Sequence, residues 1–313
     1  LGKIAFIFPG QGSQAVGMGK EAADTNELAK QIFDQADERL GYSLSSIIFE
    51  GPQEKLTLTA NTQPALLTTS IALLQSLREA GITPDYTAGH SLGEYTALVA
   101  SGAINFADAV YAVHKRGEYM EEAVPDGKGT MAAVLGLDRG ILHEVCESVS
   151  EEGDAVQLAN LNCPGQIVIS GTVKGVQKAG EKAKEQGAKR VLPLQVSGPF
   201  HSSLMKPAAE KFGNILNEIS IQDAAVPVIV NVTAAPETTK EAFQEKLIEQ
   251  LYSPVLWEDS VQKLIDLGVD TFVEIGPGKV LSGLVRKVDR KVRTISVQDP
   301  ESCQEAIKLL RRE

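Results

Sequence analysis

Tyr86-Thr87-Ala88-Gly89-His90-Ser91-Leu92-Gly93 is the stretch on which the fold turns. Tyr86–Gly89 reads as a short strand and Leu92–Ser101 as a helix, so a Gly-x-Ser-x-Gly pattern falls on a strand-to-helix turn. Alone the pattern is weak, because Gly and Ser are common residues. In this setting it fits a nucleophile elbow, where small residues flank a strained serine. The helix N-terminus adds unpaired N–H groups and positive potential beside the hydroxyl, which suits a developing oxyanion. An ordinary tight turn would look the same at this level, so both readings of Ser91 stay open.

Outward from the turn, strand and helix patterns alternate. Ile4–Phe8 is continuously apolar, as a strand buried on both faces should be. Helical patterns cover Glu27–Leu40, a segment beginning after Pro64 and ending at Gly81, and Phe106–Ala123 with Asn105 as N-cap. This order predicts an α/β domain with a parallel sheet. Near Gly127 the rhythm changes. Thr130–Leu137 reads as a strand, Arg139–Ser150 as a helix, Val156–Asn162 and Gln166–Ser170 as strands, Val173–Gln186 as a helix and Arg190–Val196 as a strand. That β-α-β-β-α-β order is the ferredoxin-like arrangement. It predicts a small subdomain over 128–196, inserted in a discontinuous domain made of 1–127 and 197–313. Beyond it come a helix over Ser203–Ile219, a strand over Pro227–Val232, helices over Lys240–Leu251 and Ser260–Leu267, and a strand over Thr271–Ile275. Gly276-Pro277-Gly278 then leads into a last sizeable helix.

Composition narrows the function. Of 313 residues, 43% are hydrophobic and 23% charged, which excludes a disordered chain or a coiled-coil rod. A net charge of −11 argues against a nucleic-acid partner. Cys146, Cys163 and Cys303 are too few and scattered for a disulfide framework or zinc site, and point to a reducing, cytoplasmic setting. P-loop, HExxH and CxxC patterns are absent, so no metal is expected. Ile4–Phe8 is too short for a signal-peptide core. The uncharged run Leu56–Leu77 carries Thr, Asn, Gln, Ser and Pro, so no membrane span is expected.

Other residues carry chemistry only in combination. Gly10-Gln11-Gly12-Ser13-Gln14-Ala15 fits a dinucleotide fingerprint. The region that should hold the second strand and its acidic residue is helical, however, which argues against that reading. A Gly-rich loop at a strand end can still aim backbone donors at a ligand. Among the four histidines, His90 lies inside the elbow with its side chain expected to point away from Ser91, and His114 and His143 lie in helical patterns. His201 follows Ser197-Gly198-Pro199-Phe200 at a loop-to-helix junction, where a helix N-terminus would keep the ring neutral and able to take a proton. A merely exposed His201 is the competing reading. Arg116 falls on the apolar stripe of Phe106, Ala109, Val113 and Met120. Either it is buried against a structural carboxylate or carbonyl, or it recognises a substrate carboxylate. Lys279, Arg286, Lys287, Arg290, Lys291 and Arg293 surround one acid, Asp289. They form a solvated face or meet an acidic partner or a phosphate.

Together these residues resemble the malonyl-CoA:acyl carrier protein transacylase family nearly end to end. The resemblance rests on Phe8-Pro9-Gly10-Gln11-Gly12-Ser13-Gln14, Gly89-His90-Ser91-Leu92-Gly93-Glu94, Gly198-Pro199-Phe200-His201-Ser202, Gln250-Leu251-Tyr252-Ser253-Pro254-Val255-x-Trp257 and Glu274-Ile275-Gly276-Pro277-Gly278. It implies an α/β-hydrolase-like core carrying the ferredoxin-like insertion. It also implies Ser91 as nucleophile, His201 as its base, and a main-chain carbonyl near Gln250 orienting the imidazole. Oxyanion donors would be the backbone N–H groups of Gln11 and Leu92, and Arg116 would bind the malonyl carboxylate. Phe200, with Leu92, would mark the malonyl-selective form. The substrates implied are malonyl-CoA and the phosphopantetheine thiol of acyl carrier protein, transferred ping-pong through an acyl-serine in fatty-acid biosynthesis. No cofactor is implied. A monomer is expected, with the carrier docking near Arg286, Lys287, Arg290 and Lys291. A serine thioesterase or esterase is the rival enzyme, and a carrier-protein docking scaffold the rival without catalysis.

Overall fold

A computed structural model describes residues 2–311, so Leu1, Arg312 and Glu313, at the outer ends of the expected boundaries, lie outside the described residues. Among the described residues ten strands form two sheets. β1 (Lys3–Phe8), β2 (Tyr86–Gly89), β7 (Val228–Ile229), β8 (Pro236–Glu237), β9 (Val269–Ile275) and β10 (Arg293–Val297) build a six-stranded sheet in the order β10-β9-β1-β2-β7-β8. All its pairings are parallel except the short β7–β8 pair at one edge. β1 explains why its sequence shows no alternation. Phe6 and Phe8 enter the core that holds the helices Thr59–Glu79 and Phe106–Glu122, while Ala5 and Ile7 enter a second core with Trp257, Val261 and Val285. Each face is covered, and each large side chain so buried contributes about 1.5–3 kcal/mol.

β3 (Gly129–Leu135), β4 (Val156–Cys163), β5 (Gln166–Thr172) and β6 (Arg190–Pro193) form the second sheet, wholly antiparallel, in the order β4-β5-β3-β6. Ala132, Val134 and Ile169 face its own helices, Arg139–Glu151 and Val173–Glu185. The alternate residues Met131, Ala133 and Val168 join the core of the large sheet instead. This period-2 split sets one face of the small sheet toward the large one. β4 is tied there by Leu161 N–H donating to the Val255 carbonyl at 2.9 Å and Val255 N–H to that of Ala159 at 2.8 Å.

Three expectations need correction. The helix expected to begin after Pro64 begins at Thr59 and runs through the proline. Proline cannot donate to the carbonyl four residues back. Here His114 Nδ1 donates to that carbonyl, of Ala60, at 2.9 Å, and Gly117 lets the two helices approach closely enough for it to do so. The strand expected over Pro227–Val232 shrinks to Val228–Ile229, because the chain turns at Val230, whose N–H donates to the Ala235 carbonyl. Finally, the helix after Gly278, Val280–Val288, is followed by β10 and a further helix, Pro300–Arg311, both passed over in the sequence reading. No helix among the described residues is long and apolar enough to cross a membrane.

Candidate active site

Parallel neighbours β1 and β2 end in register, with Phe8 opposite Gly89, so the loops after them meet at one edge of the sheet. That edge is where an open α/β sheet offers a crevice. A Cβ on Gly89 would overlap the Gly93 carbonyl, one on Gly93 the Phe8 carbonyl, and one on Gly10 the His90 carbonyl. The turn can be this tight only with glycine at all three. Ser91 between them has φ 53°, a left-handed conformation that costs a non-glycine residue energy. Asn231 holds it there. Its Oδ1 accepts from the Ser91 N–H at 2.9 Å, and its Nδ2 donates to the Gly89 carbonyl at 2.7 Å.

His201 lies on the facing loop, also left-handed with φ 57° and 3% exposed. Its Nδ1 donates to the Gln250 carbonyl at 2.8 Å, which leaves Nε2 free to accept from the Ser91 hydroxyl at 2.7 Å. No carboxylate takes the third position. Burial, and then the positive charge of Arg116, lower the imidazole from 6.5 to about 3. The ring is thus kept neutral chiefly by burial, not by a helix N-terminus as the sequence suggested. The consequence is testable. Native His201 stays unprotonated where an unfolded chain binds a proton, between about pH 3 and 6.5, so it lowers stability as pH falls through that window. The rate of Ser91 modification, measured from pH 5 to 8, should show no loss centred near 6.5. A tenfold drop per unit below 6.5 would mean that an ordinary imidazole controls the step.

Arg116 reaches the same point from the helix Phe106–Glu122 and is 1% exposed. Its guanidinium donates to Gln63 Oε1 at 2.7 Å, Gln250 Oε1 at 2.8 Å and Ser91 Oγ at 3.3 Å. Its carbon lies 5.4 Å from the centre of the Tyr95 ring. Among the described residues it makes no ion pair, and its Nε has no hydrogen-bond partner. A buried guanidinium whose direct hydrogen-bond acceptors are all neutral can still take an anionic ligand in contact.

Ser91, His201, Gln11 and Phe200 line one cavity of 130 Å³, with His90, Met120, Met131, Asn160, Leu194 and Val196. It lies between the two sheets. A larger cavity of 430 Å³ beside His143, Cys146 and Gln157 includes neither Ser91 nor Arg116. Among the described residues the backbone N–H groups of Gln11 and Leu92 find no acceptor in the protein. His90 turns away from Ser91 to Asn162 Oδ1 at 2.8 Å on β4. Arg286, Lys287, Arg290 and Lys291 are exposed at the end of the helix Val280–Val288 and just beyond it, apart from this cavity's lining. His114 pairs with Glu118 at 3.0 Å and His143 with Glu147 at 3.1 Å, each along its own helix.

Sequence reasoning missed Gln63, Glu94, Asn231 and the side chain of Gln250. Glu94 alone left a signal, as an acid in the first turn of an otherwise apolar helix. No group of three or more potential metal ligands occurs among the described residues.

Residues 5–310 match the model of the acyl transferase domain. A malonyl CoA-acyl carrier protein transacylase of Bacillus subtilis (strain 168) is 64% identical over 313 residues, covering 100% of this chain and 99% of that protein. The crystal structure of an acyl-carrier-protein S-malonyltransferase from Bartonella henselae superposes with a TM-score of 0.96 at 43% identity, covering 99% of each chain. A type II PKS acyl-carrier protein in complex with its malonyl-transacylase (PlMCAT:AntF, holo) includes a chain similar at TM-score 0.95 and 42% identity, covering 98% of this chain and 99% of that one.

Proposed function

The chain belongs to the malonyl-CoA:acyl carrier protein transacylase family of acyl transferases, and on that premise we propose how its residues move the malonyl group. It transfers malonyl from malonyl-CoA to the phosphopantetheine thiol of acyl carrier protein, the step that feeds malonyl units to fatty-acid synthesis. Ser91 Oγ attacks the thioester carbonyl carbon while His201 Nε2 takes its proton. The oxyanion meets the backbone N–H groups of Gln11 and Leu92. Collapse breaks the C–S bond, His201 returns the proton to the departing CoA thiolate, and malonyl-serine remains with its carboxylate on Arg116. The carrier thiol then enters, gives its proton to His201 and attacks the ester carbonyl carbon; the C–O bond to Ser91 breaks and His201 returns the proton to Ser91 Oγ. Thioester is exchanged for thioester, so no cofactor or energy source is required.

The observation that carries this reading is the 2.7 Å contact from Ser91 to a neutral His201, with an unpaired guanidinium touching the same hydroxyl. A hydrolase has no use for that cation, and a docking scaffold has no use for the dyad. Intact-protein mass after brief mixing with malonyl-CoA tests it. A malonyl-sized adduct, discharged by acyl carrier protein and not formed with acetyl-CoA, is expected. Free malonate accumulating with no adduct would mean a hydrolase.

The finer architecture belongs to the same reading. The β4-β5-β3-β6 order with two helices on one face supports a ferredoxin-like subdomain over 128–196. The parallel six-stranded sheet with Ser91 on a strand-to-helix turn supports an α/β-hydrolase-like domain from 1–127 and 197–313. Phe200, 5% exposed against the cavity, restricts the acyl group to malonyl. One chain supplies every residue of the site, so a monomer suffices, and three free cysteines suit the cytoplasm.

Carrier docking falls to Arg286, Lys287, Arg290 and Lys291, which form no ion pair among the described residues and so present positive charge to an acidic protein. Reversing these charges should raise KM for carrier protein about tenfold or more and leave acylation by malonyl-CoA within about twofold. Equal loss in both half-reactions would remove docking from this face.

A further inference from the structure

Glu94 is a buried carboxyl group that the transfer chemistry leaves unused. It stands in the first turn of the helix Gly93–Ala100 and is 1% exposed. Its Oε1 accepts from the Asn231 N–H, and its Oε2 from Gln250 Nε2 at 3.1 Å. Gln250 Nε2 also faces the Ser91 carbonyl at 3.0 Å and Asn231 Oδ1 at 3.1 Å. Three oxygens therefore surround the amino end of this amide, and its oxygen is left to accept from Arg116. Turned end for end, the amide would set oxygen against oxygen and NH2 against guanidinium.

The three acceptors are not equivalent. The Ser91 carbonyl already takes the Glu94 N–H, and Asn231 Oδ1 already takes the Ser91 N–H. Glu94 Oε2 alone has no other donor among the described residues. We propose that Glu94 is a positioning residue: it sets which end of the Gln250 amide faces Arg116, and so holds the guanidinium ready for the substrate carboxylate. Burial pushes the Glu94 carboxyl up to about 8, against the pull of the Asn231 N–H and Arg116. Both its oxygens face N–H donors, which oppose the proton that burial favours.

The inference rests on the proposed malonyl transfer, and its test separates the two. Acylation rates of Ser91 are measured by rapid mixing and intact mass with malonyl-CoA and, over longer times, with acetyl-CoA. The wild-type chain is compared with Glu94→Gln, with thermal unfolding as the check on folding. Glutamine keeps the volume but turns one acceptor into a donor, so the Gln250 amide loses its orientation. Malonyl acylation should fall about tenfold or more, as for a lost hydrogen bond to a charged group, while acetyl acylation stays within about threefold. Should Glu94→Gln fail to fold, Glu94→Asp, whose carboxylate is too short to reach Gln250, is read the same way. An equal fall for both acyl groups, or no change in their ratio, overturns the role of Glu94. A wild-type chain that forms no malonyl-serine overturns the underlying reading instead.

Discussion

Ser91→Ala should abolish the malonyl adduct and lower transfer to carrier protein by at least about 10⁴-fold, the scale on which loss of a nucleophile acts where dyad members work as a unit. The fold should survive the change. The turn is held by the Ser91 backbone N–H on Asn231, by Asn231 on the Gly89 carbonyl and by three glycines, none of which needs the hydroxyl. Alanine at φ 53° is about as strained as serine there, so the melting temperature should move little. Intact-mass acylation and a melting curve on one sample make the comparison. A variant that still transfers malonyl at a tenth of the normal rate, or that fails to fold, would contradict this account.

Arg116→Ala should invert acyl preference. Removing the guanidinium takes away the charge-assisted partner of the malonyl carboxylate, and acylation by malonyl-CoA should fall about 100-fold or more. Acetyl-CoA has no carboxylate to pair and should lose far less, so the ratio of the two rates collapses. Stability should drop too. Gln63 Oε1 and Gln250 Oε1 would each remain buried without their donor, at about 1–3 kcal/mol apiece. Arg116→Lys separates charge from shape. An ammonium keeps the positive charge but cannot span Gln63, Gln250 and the substrate at once, so an intermediate loss is expected. Rates with the two acyl-CoA substrates, set beside the melting temperatures of both variants, decide it. A malonyl-to-acetyl ratio that survives Arg116→Ala would take the carboxylate away from this residue.

Arg116 also marks where the sequence stops. Helical spacing placed it among Phe106, Ala109, Val113 and Met120, on the buried face of Phe106–Glu122, where it lies. Spacing along one helix says nothing of what the facing elements bring, so burial against a structural carboxylate or carbonyl and recognition of a substrate carboxylate both stay open. The neighbours turn out to be two glutamines and a serine hydroxyl, contributed from Gln63, Gln250 and Ser91, as far as 134 residues away in the chain.

Local signals were legible for local reasons. Asn105 caps its helix by accepting from the Asp108 N–H, and the strand–turn–helix around Ser91 follows from three glycines and an apolar run. The order of strands and helices along residues 129–193 was readable because each element there repeats with its own period. Pro64 misled, because its missing N–H is compensated by His114 from another helix, fifty residues on. Asn231 and the side chain of Gln250 carry no short-range pattern, and Glu94 only that of an acid in the first turn of an apolar helix. Their work is to satisfy buried polar groups on one another, and such pairing exists only once the chain has closed. By itself the sequence determined most of the elements, the motifs and the family. Only the tertiary structure decided which amides meet the arginine, which carbonyl aims the imidazole and why that ring is neutral, since each depends on the exclusion of water by residues distant in the chain.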